Sequence, residues 1–127
     1  VKFLLDTCIF LWFISGDNRL SNSFREKICD PENEVFLSTV SIWESIVKHQ
    51  LGKLPLPEPP AEYLPAQRKK HHILSLPLDE KSVVRLSNLP AIHRDPFDRM
   101  LICQAIEHHL TLITVDDSVR SYPVNTI

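Results

Sequence analysis

Short unbroken apolar runs alternate along the chain with longer stretches in which apolar residues recur every three or four positions. Phe3-Leu4-Leu5, Val35-Phe36-Leu37 and Leu112-Ile113 with Val115 lack polar alternation and are too short for helices, which marks strands buried on both faces of a parallel sheet. Ile73, Leu74 and Leu76 read as a third strand and Tyr122 to Ile127 as a final edge strand, so the expected sheet has about five strands. Between them lie predicted helices. Thr7 to Ile14 is apolar on most sides and stops near Gly16, which suits a buried or partner-facing helix. Ser21, Phe24 and Ile28 outline an amphipathic helix that ends before Pro31. Ser38, Thr39 and Ser41 offer caps for a helix reaching about Gln50, with Val40, Trp43, Val47 and Leu51 as its packed face and Ser41, Glu44 and Lys48 as an adjoining stripe. Prolines 55, 57, 59, 60 and 65 stiffen the next connection, with a helix from Ala61 towards His71. Asp79 caps a short amphipathic helix through Val83, Val84 and Leu86. Asp95 caps, and Pro96 opens, a helix that buries Phe97, Leu101 and Ala105 and ends at His108 and His109. Strands alternating with helices argue for an α/β fold, a mostly parallel sheet covered by helices on both faces.

At 127 residues and 43% hydrophobic, the chain suits one domain over residues 1–127. Its longest apolar run, Ile9 to Ile14, is far too short to span a membrane, and no basic-plus-apolar leader opens it, so a soluble cytoplasmic protein is expected. Cys8, Cys29 and Cys103 are odd in number and widely spaced, which suits reduced core thiols better than disulfides or zinc ligands. A formal charge of −2 excludes a general basic coat for nucleic acid, so any such contact is local. The one basic run, Arg68 to His72, is either a solvated helix end or a phosphate-contacting edge.

Acidic residues change the picture. Asp6 and Asp116 fall at the carboxyl ends of predicted strands, where parallel sheets form their ligand crevices. Asp98, in the first turn of one helix, and Glu44, in the early turns of another, can face the same crevice. Taken singly, Asp95 and Asp98 need only complement a helix dipole, at roughly 0.3–1 kcal/mol each. Glu44 with Lys48 can be an exposed i,i+4 ion pair, at roughly 0.2–0.5 kcal/mol. Four clustered carboxylates, however, raise one another's pKa unless a cation compensates them. Oxygen donors favour a hard ion, Mg2+ or Mn2+, that leaves coordination places for a substrate phosphate.

Leu4-Leu5-Asp6-Thr7, Ser41-Ile42-Trp43-Glu44, Leu89-Pro90 through His93-Arg94-Asp95-Pro96-Phe97-Asp98-Arg99, and Thr114-Val115-Asp116 resemble, in this order, a PIN domain of the VapC-like toxin ribonucleases. The resemblance spans nearly the whole chain. It implies a three-layer sandwich and a metal-dependent endoribonuclease that works in a type II toxin–antitoxin pair; metal-assisted attack of water in line on phosphorus, with one or two Mg2+ ions, would then leave 5′-phosphate and 3′-hydroxyl ends. It places Asp6, Glu44, Asp98 and Asp116 at the family's acidic positions, as catalytic residues and metal ligands, with Thr7, Ser41 and Thr114 as supporting hydroxyls. Asp95 is then mainly a cap. An RNA substrate, a cognate antitoxin and a homodimer are the implied partners. Lys48, Arg94 and Arg99 are candidates for RNA phosphate contacts, with surface ion pairing as the competing reading.

Rival readings are a metal-free ribonuclease using a histidine pair, a phosphatase or phosphotransferase starting from Asp6, and a non-catalytic module whose acids hold a structural ion. No histidine falls at a predicted strand end, and position 8 is Cys where a phosphatase would place a second acid.

Overall fold

The computed structural model describes residues 1–127. Strands β1 (Lys2–Leu5), β2 (Glu34–Ser38), β3 (Leu74–Leu76) and β4 (Thr111–Ile113) form one sheet in the order β3-β2-β1-β4. Every pair is parallel, with Phe3 opposite Val35 and Thr111, and Phe36 opposite Leu74. The helices are α1 (Thr7–Ser15), α2 (Asn22–Cys29), α3 (Thr39–Gln50), α4 (Pro60–Lys70), α5 (Glu80–Val84), α6 (Pro96–Glu107) and α7 (Asp117–Arg120), with a 3-10 turn at Arg85–Asn88.

Alternation along β1 divides the core in two. Phe3 and Leu5 pack with Ile9, Phe10 and Phe13 of α1, Ile28 of α2 and Leu64 of α4. Leu4 points the other way, into Leu101, Ile102 and Ala105 of α6, Leu112 and Val119. Three layers result, with the sheet in the middle. α1 ends where expected, at Gly16, whose left-handed backbone (φ 66°) lets its N–H close the last turn.

Several expectations need correction. The sheet has four strands, because the tail makes only a single bridge from Thr126 to Leu112. Pro123 has no N–H to donate, and the N–H of Val124 turns back to the Tyr122 carbonyl (2.8 Å), which shortens the pairing. β4 stops at Ile113, and Val115 beyond it is exposed. Val40 of the expected packed face of α3 is buried in the apolar core, but Trp43 and the C-cap Leu51 are exposed (55% and 64%), and Ser41, Glu44 and Ser45 are buried instead. Both stripes have helical spacing, and the polar one is buried because Ser41 and Glu44 meet the Thr7 side chain. Val83 and Val84 of α5 are likewise exposed, and Ser82 is buried in their place with its hydroxyl on Asp79. Of the three free thiols Cys103 is buried and Cys8 half-buried, but Cys29, last residue of α2, is exposed.

One polar contact ties the layers together. Gln104, fully buried on α6, accepts the Ser38 hydroxyl at the end of β2 and donates to the Pro77 carbonyl (3.2 Å). Ser38 in turn caps α3 through the Val40 N–H (3.0 Å). Gln104→Leu strands a buried hydroxyl and a carbonyl and is expected to lower unfolding free energy by about 1–3 kcal/mol in urea titrations. An unchanged midpoint would show that this network adds nothing to stability.

Candidate active site

From β1 the chain moves to β2 and then outward to β3, whereas β4 lies on the opposite side of β1. The carboxyl ends of β1 and β4 therefore flank the point where the connections diverge, and open parallel sheets leave their crevice there. Asp6 ends β1 and caps α1, with Oδ1 accepting the Thr7 N–H (2.7 Å). Its Oδ2 accepts the Thr114 hydroxyl (2.7 Å), and the Thr114 oxygen accepts the Asp116 N–H (3.0 Å). One buried threonine thus sets the spacing of the two strand-end acids.

The helices bring the other two acids. Thr7 donates its hydroxyl to Glu44 Oε1 (2.7 Å) and lies 2.9 Å from the Ser41 hydroxyl, which docks α3 against α1. The second Glu44 oxygen meets the Lys48 ammonium one turn later. Asp95 caps α6, accepting the N–H groups of Phe97 (2.8 Å) and Asp98 (3.3 Å), and so holds Asp98 at the first turn. Asp116 caps α7 through the Ser118 N–H (2.8 Å). Asp6, Thr7, Glu44, Lys48, Asp98 and Asp116 all line one cavity of about 310 Å3.

Of the remaining sequence candidates, Ser41 and Thr114 are buried behind this cavity, while Arg94 is exposed outside its lining. Arg99 donates to the Leu89 carbonyl (3.3 Å), which pins the loop before α6. Two participants escaped the sequence reading. Lys53 lines the cavity because Gly52 (φ 72°) reverses the chain after α3 and returns the Lys53 N–H to the Lys48 carbonyl (2.9 Å). His93 places Nε2 3.0 Å from Asp98 Oδ2 and 3.1 Å from Asp116 Oδ2. Its signal in the chain was proximity to the Asp95 cap, two residues on. No second histidine contacts these acids, so no histidine pair stands at this cavity.

Burial dominates the electrostatics. It pushes the Asp98 carboxyl from 3.8 up to about 7, with Asp6, Asp95 and Glu44 adding repulsion and His93 opposing it. Asp6 is also raised, by burial first and by Glu44 and Asp116, against the hydrogen bonds from Thr114 and Thr7. Burial and the same acids drive the Cys8 thiol to about 12, so it stays protonated and unreactive. Burial works to lower the Lys48 pKa, but the Glu44 contact outweighs it and the net shift is upward. The carboxylate donors of Asp6, Glu44, Asp98 and Asp116 fit a hard divalent cation, which would supply the compensation that Asp98 and Asp6 lack.

A carboxyl whose pKa is raised on folding stabilises the folded chain below its unfolded pKa, and that contribution is lost as pH climbs through the folded value. Without divalent metal, stability is therefore expected to fall between about pH 4 and about pH 7 because of Asp98, by no more than about 4 kcal/mol. Asp98→Asn should flatten this slope in EDTA and make the variant the more stable protein at pH 8. Parallel pH–stability curves for the two proteins would show that Asp98 is not the strained group.

Comparison with known proteins agrees with this architecture. Residues 3–125 match the PIN domain family. Ribonuclease VapC16 of Mycobacterium tuberculosis is 41% identical over 49 residues, which is 39% of this chain and 35% of that protein, so the aligned part spans about a third of the relative's length. VapBC2 from Rickettsia felis, solved on a DNA fragment from its promoter, superposes with a TM-score of 0.74 at 15% identity, covering 100% of this chain and 98% of that one. DNA-bound VapBC from Salmonella typhimurium gives 0.73 at 18%, covering 100% and 97%. A family match over residues 3–125, on a sheet whose strand ends carry the acids of one cavity, establishes that the chain belongs to the PIN domain family.

Proposed function

We propose that this protein is a Mg2+- or Mn2+-dependent endoribonuclease, the toxin of a type II toxin–antitoxin pair, which hydrolyses RNA to 5′-phosphate and 3′-hydroxyl ends. The observation that carries the reading is the convergence of Asp6, Glu44, Asp98 and Asp116 on one cavity at the diverging strand ends. Family membership and a relative named as a ribonuclease support it. Asp6, Glu44, Asp98 and Asp116 would hold the cation. When bound, Mg2+ or Mn2+ supplies Lewis acidity towards the phosphodiester and makes attack by water feasible near neutral pH.

The chain's own groups do the positioning. Thr114 and the Thr7 N–H hold both oxygens of Asp6, so this carboxylate cannot rotate. Thr7 and Lys48 fix Glu44, whose remaining lone pairs suit it to orient water. Lys48 and Lys53 line the cavity from one side and are the phosphate contacts of this reading, joined by exposed Arg94. Arg99 serves by fixing the Leu89 loop. Local basic groups at the site, rather than overall charge, then carry RNA affinity in a chain of net charge −2.

An antitoxin has a place to lie. Leu11, Trp12, Leu54, Leu56 and Tyr63 line a groove of about 410 Å3, and Cys8, Leu11 and Leu54 line both this groove and the acidic cavity. A segment with apolar side chains in the groove and a cationic one among the carboxylates would block metal and substrate together. Solved structures of similar fold include a toxin–antitoxin complex from Klebsiella pneumoniae (TM-score 0.59, 17% identity). No helix is long and apolar enough to cross a membrane.

The test is cleavage of a structured RNA pool by wild type and Asp98→Asn in Mg2+, Mn2+ or EDTA, with product ends mapped. Expected are metal-dependent cuts bearing 5′ phosphates, reduced on the order of 100-fold or more in the variant. Cutting that survives EDTA, or ends in cyclic phosphates, overturns the mechanism. Mn2+ binding without cleavage of any transfer, ribosomal or messenger RNA favours the non-catalytic module instead.

A further inference from the structure

His93 occupies a built position. Its Nε2 stands between Asp98 Oδ2 (3.0 Å), on the first turn of α6, and Asp116 Oδ2 (3.1 Å), beyond β4. On the other side of the ring Nδ1 accepts the Asp95 N–H (3.1 Å). The backbone is pinned as well, because the buried Tyr122 hydroxyl accepts the N–H groups of Ile92 (3.1 Å) and His93 (2.6 Å). Tyr122 and α6 thus fix the ring from two directions.

This arrangement determines which nitrogen bears the proton. A neutral imidazole has one donor and one acceptor, and an Nδ1 that accepts leaves the hydrogen on Nε2. That N–H donates to Asp116 Oδ2 (3.1 Å), and Asp98 Oδ2 stands 3.0 Å from the same nitrogen, off the line of the hydrogen bond. Direct coordination of a metal by Nε2 would require this proton to leave and Nδ1 to take one, and the new Nδ1–H would face the Asp95 N–H, donor against donor. The donor atoms of His93, Asp98 and Asp116 lie within 4.8 Å of one another, close enough for a three-ligand site on distance alone, so the proton placement is what decides the role.

We propose that His93 is a positioning residue of the metal centre: as an N–H donor to Asp116, not a nitrogen ligand, it clasps that carboxylate in place beside Asp98, in the attitude that receives the cation. This rests on the metal-dependent reading of the site. The clasp fixes the Asp116 side chain beside the first turn of α6, which the Thr114 bond does not do, since Thr114 serves only Asp6 and the Asp116 main chain. Carboxylates that ligate metals commonly depend on such outer hydrogen bonds, and losing one costs about 10–100-fold in metal affinity.

The test measures Mn2+ binding by calorimetry for wild type, His93→Ala, His93→Gln and Asp98→Asn, each checked for a cooperative thermal melt. A glutamine amide can present an N–H near the Nε2 position. Expected is a loss of about ten-fold or more in His93→Ala with recovery to within about three-fold of wild type in His93→Gln. Long-range 1H–15N spectra of the metal-free protein should show the proton on Nε2, and pulsed EPR of the Mn2+-loaded protein should show no directly bound nitrogen. A proton on Nδ1, a directly bound nitrogen that vanishes in His93→Ala, an unchanged or tighter His93→Ala, or a glutamine variant no better than alanine each overturns the clasp. Those outcomes with a wild type that binds Mn2+ and an Asp98→Asn that does not leave the metal reading standing. A wild type that binds no Mn2+ overturns both.

Discussion

The hydrogen bond from Thr114 to Asp6, made in a fully shielded position between the ends of two parallel strands, is the contact on which the site depends. Asp6 has both oxygens engaged, one by this hydroxyl and one by the first N–H of α1. The same threonine oxygen takes the Asp116 N–H, so the cap of α7 and the cap of α1 are set from a single atom. A carboxylate buried at 5% exposure persists there only because such donors replace the water it has lost. The β1–β4 pairing makes this possible by placing Ile113 beside Leu5 and continuing through the Asp6 N–H to the Ile113 carbonyl (3.0 Å).

Around that anchor two of the further acids bring donors of their own: Glu44 has Thr7 and Lys48, and Asp116 has Ser118 and His93, while Asp98 has the His93 ring nitrogen 3.0 Å away without a hydrogen bond. The compensation is incomplete for Asp98, whose burial and acidic neighbours leave it well above the ordinary carboxylate range. A cation bound there, as proposed above, would relieve that strain, since folded protein gains whatever free energy the metal binding supplies.

The site and the apolar groove are neighbours for a topological reason. α1 leaves Asp6 with Ile9, Phe10 and Phe13 in the core, which turns Cys8, Leu11 and Trp12 towards the proline-rich stretch around Leu54 and Leu56. One helix therefore borders both the acidic cavity and the groove. Trp43 and Phe97, edge to face at 4.7 Å, close the far side between α3 and α6 and account for a large aromatic left exposed beside Glu44.

Much of this was legible in the chain. Unbroken apolar runs with Asp6 and Asp116 behind them, the Asp95-Pro96 helix opening and the Gly16 stop depend on local chemistry, and local chemistry is written in order along a sequence. So the α/β class, the helix starts and the four acids could be named from residues alone. The polar face of α3 could not, because Ser41 and Glu44 repeat with the same period as Trp43 and Leu51, and only docking against Thr7 decides which stripe is buried. His93 and Lys53 were hidden for a related reason: each acts through a loop whose direction is set by distant partners, Tyr122 for one and the reversal at Gly52 for the other. The edge strand at Tyr122–Ile127 failed on geometry as well, since its residues suit a strand but the Val124 N–H turns back to the Tyr122 carbonyl and β4 is only three residues long, so that only Thr126 meets it. By itself the sequence determined the elements and the charges they carry, because propensity, capping and periodicity are short-range. Tertiary structure alone decided which donor faces which carboxylate, because that depends on side chains up to 108 positions apart meeting across the end of one sheet.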